Sequence, residues 1–185
     1  MNKTREEAFK LLQAKVQDKN MIKHSLAVEA CLRGLAKHFN ENQELWGMAG
    51  LLHDYDYKEM IEFPEKHGLK AAEELEALGF EKEITQAIKA HNEKNGTQRQ
   101  NLLDKVIHSA DPITGLIVSA ALVLPNKKLA DLTDESILNR FKEKRFAAGA
   151  NREIIARCSD FGMSLEEFIK ICLKAMQGIS NDLSL

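Results

Sequence analysis

The sequence predicts an all-α fold, a compact multi-helix bundle, on three observations. Only three prolines occur in 185 residues. Apolar residues recur three or four positions apart, and strict alternation over five or more residues is hard to find. Hydroxyl and amide side chains stand where helix starts need them.

The elements follow in order. Thr4 and Glu7 have capping-box spacing, in which a hydroxyl and a carboxyl satisfy orphan N–H groups reciprocally. Behind them Phe9, Leu11, Leu12 and Val16 form one stripe, so a helix is expected over 3–18. Ile22, Leu26, Cys31, Leu32 and Leu35 mark a second over 21–38. Further helices are expected over 42–54, 66–78 and 81–92, with Gly79 as a stop. A long one over 101–124 contains Pro112, which lacks an N–H and should kink or break it. Shorter helices over 134–144, 151–160 and 164–178 complete the set. Asn151 is an N-cap for the second of these, Ser164 and Glu167 repeat the capping box, and Gly162 and Gly178 are stops. Residues 93–101 and 124–133 read as loops. No repeat or linker divides the chain, so one domain over 1–185 is expected, with its core at about 20–125. The helices of 126–185 complete the bundle, lid a pocket or make a homodimer contact.

Composition limits the function. At 44% hydrophobic and 29% charged the chain can bury a core, which argues against disorder. A net charge of −2 argues against a nucleic-acid polymer as partner. No apolar run reaches the roughly 20 residues that cross a bilayer, and the charged start MNKTREEAFK is no secretory signal. Cys31, Cys158 and Cys172 are too few and scattered for a disulfide framework or a cysteine zinc site. A reduced, cytoplasmic protein is expected.

The six histidines carry the functional information. His24 opens an apolar face in KHSLAVEACLRGL, and His53 closes another in ELWGMAGLLHDYDY, with Asp54 following directly. A single histidine on an apolar face is usually a core residue with a hydrogen-bond partner. An ionised Asp54 after GMAGLL, however, is costly to bury unless it is paired or metal-bound. His67 and His91 follow on separate predicted helices, and Asp111 lies in IHSADPITGLI.

The series His24, His53-Asp54, His67, His91, Asp111 resembles the signature of the HD superfamily of metal-dependent phosphohydrolases. GLLHDYDY is similar to the HD-containing helix end of its HDIG branch, with Tyr55-Asp56 where that name puts Ile-Gly. The likeness extends over about residues 20–125 and includes PEKHGLKAAEEL, AIKAHNEKNG and LLDKVIHSAD. It implies that His24, His53, Asp54 and Asp111 are one metal's ligand set and that His67 and His91 are the additional ligands of the two-metal branch. The phrasing AI-x-x-H and KVI-x-x-AD also resembles the bacterial HD-type symmetrical dinucleoside tetraphosphate hydrolases. Their Pro-Asn-Arg stretch after the last Asp is replaced here by PITGLIVSAALVL.

The implied chemistry is hydrolysis of a phosphoester or phosphoanhydride of a small metabolite, most readily a nucleotide, by a metal-activated hydroxide. Imidazole and carboxylate donors suit one or two ions of Fe, Mn, Co, Ni or Zn. His53 and Asp54 are the expected catalytic pair. Asp54 would bridge the ions, His24 and Asp111 would hold one, and His67 and His91 the other. Neighbouring helical residues point about 100° apart, so the helix should end or distort near His53-Asp54 for both to reach one centre. Gly47, Ala49 and Gly50 would let neighbouring helices approach. Lys58, Lys70, Lys105, His108, Arg145 and Arg152 are candidate phosphate contacts, with RFAAGANR favoured as a turn feeding a helix N-terminus. Tyr55, Tyr57 and Phe63 would flank a base or pack on the core, and His38 belongs on the surface. Two other readings stand beside the enzyme: a metal- and nucleotide-binding sensor without turnover, and a structural helical domain with core histidines.

Overall fold

The computed structural model of the chain describes residues 3–185; Met1 and Asn2, where the N-terminal segment starts, lie outside the described residues. Ten α-helices are present among them: α1 Arg5–Lys15, α2 Lys19–Phe39, α3 Gln43–Leu52, α4 Leu69–Ala77, α5 Lys82–Ala90, α6 Leu102–Leu122, α7 Asp134–Lys142, α8 Arg152–Ala156, α9 Leu165–Gln177 and α10 Ser180–Leu183. No strand occurs among the described residues.

Local chemistry sets the boundaries. Thr4 and Glu7 close the capping box at α1, and the Ser164 hydroxyl accepts the Glu167 N–H at α9. Two further boxes, Asn101 with Asp104 and Thr133 with Ser136, start α6 and α7. The segment expected as one helix over 151–160 divides into α8 and a 3₁₀ turn over Arg157–Phe161. The helix expected over 66–78 begins only at Leu69, because residues 57–68 are spent in a 3₁₀ turn and tight bends.

Pro112 does not break α6, which continues as one helix through it. The missing Pro112 N–H leaves the His108 carbonyl without its helical donor, and the packing of α6 offsets that loss. This helix is the axis of the bundle. It packs against α2, α3, α5, α7, α8 and α9. Val106, Ile107, Ile113, Leu116 and Ile117 are fully buried, each contributing about 1.5–3 kcal/mol. The C-terminal helices share this core: Phe168, Ile169 and Cys172 of α9 are fully buried, and the Cys31 thiol of α2 faces the Cys172 carbonyl at 3.7 Å.

The backbones of helices α2 and α3 approach closely at Gly50. A Cβ there would lie 2.9 Å from the Glu29 nitrogen and 3.0 Å from its Cα, so only glycine fits between the backbones. This contact brings the middle of α2 beside the end of α3.

Candidate metal centre

Five elements each supply part of one cluster. His24 lies in the second turn of α2, His53 caps the C-terminus of α3, and Asp54 follows in the turn. His67 stands two residues ahead of α4, His91 caps α5, and Asp111 sits midway along α6. Because α3 ends at Leu52, the chain bends at His53 and both side chains of the pair turn to the same centre.

Two triads result, His24 with His53 and Asp111, and Asp54 with His67 and His91, the donor atoms within 4.8 Å of one another in each. Asp54 joins them. Its Oδ2 is 3.5 Å from His24 Nε2 and 3.3 Å from His53 Nε2, while its Oδ1 is 3.0 Å from His67 Nε2 and 3.8 Å from His91 Nε2. Asp111 Oδ1 lies 3.0 Å from His24 Nε2 and 3.8 Å from His53 Nε2.

The far side of each ring fixes its tautomer. His53 Nδ1 donates to the Gly50 carbonyl at 2.8 Å, and His91 Nδ1 donates to the Ile88 carbonyl. His67 Nδ1 donates to Asp56 Oδ1 at 2.7 Å. The Thr114 hydroxyl gives its proton to the Asp111 carbonyl, so at 3.1 Å it accepts from His24 Nδ1. In the neutral rings all four protons are therefore on Nδ1 and all four Nε2 lone pairs face the centre. There His24 and His53 Nε2 are 3.2 Å apart, and His67 and His91 Nε2 are 3.0 Å apart. Lone pairs and carboxylates this close repel unless positive charge lies among them. The donor set, four imidazoles and two carboxylates, fits a divalent transition metal.

The titration of these groups shows the same demand for a cation. Burial opposes a charge on His53, yet Asp54, and to a lesser degree Asp111, overcome it and raise its pKa to about 9. His67 is likewise raised to about 9, with Asp54 and Asp56 outweighing burial. His91, dry and beside the charges on His53 and His67, falls to about 4. Burial works against ionisation of Asp54, but His53 and His67 hold its carboxyl well below the usual range. Without a metal, protons on His53 and His67 take the positive role.

The cluster forms the wall of a cavity of about 540 Å³ lined also by Tyr57, Glu93, Lys94, Gly149 and Asn151. The phosphate contacts expected from the sequence mostly lie elsewhere. Lys58 and Arg145 are exposed and do not line it, and Lys70 pairs with Glu59 at 2.5 Å. Lys105 and His108 line a different, smaller cavity. Arg152 does not line the cavity: its guanidinium donates to the carbonyls of Arg140, Phe141, Glu143, Phe146, Ala147 and Ala150. It clamps the loop instead, including Ala147 at φ 44°. The RFAAGANR turn reaches the cavity through Gly149 and Asn151. Its helix start is not a free anion site, because the Asn151 side chain already accepts from the Glu153 and Ile154 N–H groups. Of the aromatic residues, Tyr57 lines the cavity with its ring 5.7 Å from that of His67. Tyr55 is buried, and Phe63 is exposed under Lys66. His38 is on the surface.

Five supporting residues are not evident from the sequence pattern. Asp56 is fully buried, and accepts from His67 and from the Gly68 and Ala71 N–H groups. Thr114 is one helical turn past Asp111, a spacing that could have revealed it. Asn92 and Asn95 both donate to the His67 carbonyl at 3.0 Å. Lys94 is the lysine that lines the cavity.

Comparison with known proteins gives one positive result: the family model of the HD domain matches residues 21–116. No curated protein and no solved structure matches the chain, so the likeness to dinucleoside tetraphosphate hydrolases has no relative behind it. The matched residues make up half of the sequence and contain all six residues of the cluster. The chain belongs to the HD domain family, most of whose members are metal-dependent hydrolases.

Proposed function

We propose that this protein is a metal-dependent phosphohydrolase acting on a small phosphorylated metabolite, a nucleotide, in the cytoplasm. One observation carries the reading: four Nε2 lone pairs and two carboxylates converge with every Nδ1 proton committed to an outer partner. His24, His53 and Asp111 would hold one divalent ion, and His67 and His91 the other, with Asp54 facing both. Bound ions of Fe, Mn, Co, Ni or Zn would supply Lewis acidity at the phosphoryl group and lower the pKa of water.

The chain's own residues do the positioning. Asp54 holds the two triads in register. Asp56, Thr114 and the Gly50 and Ile88 carbonyls keep the imidazoles oriented, which raises their basicity. Lys94 at the cavity rim offers charge to phosphate oxygens, and the half-exposed Tyr57 ring offers a face to a base. The cavity volume suits a nucleotide-sized ligand. The three thiols, unpaired among the described residues, are consistent with a reducing compartment. We take residues 1–185 as a single domain in which α7–α10 complete the bundle.

The test is a hydrolysis screen over nucleoside monophosphates, nucleoside triphosphates, dinucleoside polyphosphates and a synthetic phosphodiester, with and without chelator. Turnover abolished by chelation and by Asp54→Ala supports the proposal. Metal-dependent nucleotide binding with no hydrolysis of any substrate would instead favour the sensor reading.

A further inference from the structure

A second cavity, of about 210 Å³, adjoins the metal cavity across a single side chain. It is lined by Gln98, Arg99, Lys105, His108, Arg157 and Asp160. Glu93 stands between the two. It lines the metal cavity, and its Oε1 also lies 3.0 Å from His108 Nε2, 3.7 Å from Arg99 Nη2 and 3.8 Å from Arg157 Nη2.

Three cationic side chains, Arg99, Lys105 and Arg157, thus converge on one small space opposite two carboxylates, Glu93 and Asp160. Their donors are largely unspent. Neither arginine reaches Glu93 within hydrogen-bonding distance. Arg99 Nη2 meets only the ring nitrogens of His108, and Arg99 Nε is buried with no acceptor among the described residues. No described residue accepts a hydrogen bond from the side chain of Arg157 or Lys105. Burial presses the Arg99 guanidinium below its usual value, so holding it charged here is costly. Guanidinium forks match the oxygens of phosphate, and a point-charge lysine completes such a site. At about 30 Å³ per water, the volume suits a phosphate-sized ion with a few waters.

We propose that this cavity binds a small dianionic oxyanion of the phosphate class through Arg99, Arg157 and Lys105, with Glu93 as the group it displaces. The site is distinct from the six residues of the metal cluster. It touches that cluster at one point, where His108 Nδ1 lies 2.8 Å from the His91 carbonyl. The anion is either a free ion or a second phosphoryl group of the ligand in the metal cavity.

The experiment is calorimetric titration of inorganic phosphate into the full chain stripped of metal and freed of chelator. Stripping removes binding at the metals, so failure here is separable from failure of the hydrolase reading. Saturable binding of one phosphate is expected, weakened about tenfold or more by Arg157→Gln, with metal uptake unchanged. Arg157 is half exposed, so its replacement leaves the fold intact; Lys105→Gln is the second variant. No phosphate binding at millimolar concentration, or equal affinity in wild type and both variants, overturns the proposal. Pyrophosphate titrated into the metal-loaded chain then separates the sources. If it binds more tightly than phosphate, and Arg157→Gln removes the gain, one ligand spans both cavities. Phosphate binding indifferent to metal, with no gain for pyrophosphate, assigns a free ion.

Discussion

The Asp56 carboxylate lies 2.7 Å from His67 Nδ1, and the same group accepts the Gly68 and Ala71 N–H bonds that open α4. One fully buried side chain therefore ties the turn after Asp54 to the segment that carries His67. Burial would raise its pKa, but the His67 and backbone hydrogen bonds hold it below the usual carboxylate range. Asp56→Ala should weaken metal binding at the His67–His91 triad by about 10–100-fold, while the His24 triad keeps its affinity. Metal titration of the stripped variant measures this, and identical affinity to wild type would refute the role of Asp56.

The pH dependence of the metal-free chain follows from three histidines. His53 and His67 are raised from 6.5 to about 9, so the folded state binds their protons more tightly than the unfolded chain does. Their contribution is full below pH 6.5 and is lost as pH rises through about 9. His91 is depressed to about 4, so it costs stability as pH falls from 6.5 toward 4. The stripped chain should therefore melt highest near pH 6.5. With metal bound the alkaline decline should disappear, because the ions replace the protons on His53 and His67. Melting curves across about pH 4–10, with and without metal, check both limbs.

Arg152 should behave as a structural residue. Arg152→Ala releases six backbone carbonyls and the loop that carries Gly149 and Asn151 to the cavity wall. The expected cost is about 2–4 kcal/mol in denaturant unfolding. Substrate binding should weaken through loss of the wall. An unchanged midpoint with a raised KM would return Arg152 to direct substrate contact.

Gly50 is a point where the α2 backbone presses directly on α3, and its carbonyl orients His53. Gly50→Ala should cost about 1–3 kcal/mol by forcing the helices apart. It should also loosen metal at the His24 triad, read as faster metal loss to a chelator than in wild type.

The histidines were legible because a buried imidazole on an apolar stripe is costly and conspicuous, and His24, His53, His67 and His91 recur in order along the chain with Asp54 and Asp111 among them. The helices were legible for a related reason, as their period is written in Leu, Ile and Val. Asp56 was not. A carboxylate two residues after the pair reads as surface until the turn at His53 folds it under α4. Arg152 read as a phosphate contact because sequence shows a charge beside a glycine turn, not the six carbonyls that the loop points at it. Of the kink or break expected at Pro112, the break does not occur, because six other helices pack against α6 and hold it together. The grouping of the ligands and the position of Asp54 between them were expected through the family resemblance, because spacing alone does not encode how five elements come together.

The most direct test of the central claim is elemental analysis of full-length protein purified anaerobically, without chelator or nickel resin, and then offered Mn, Fe or Zn. The convergence of four Nε2 atoms on two carboxylates predicts about two transition-metal ions per chain, falling by about half or more in Asp54→Ala. A chain that carries no metal and takes up none would contradict it, leaving the cluster a proton-bridged element of the core.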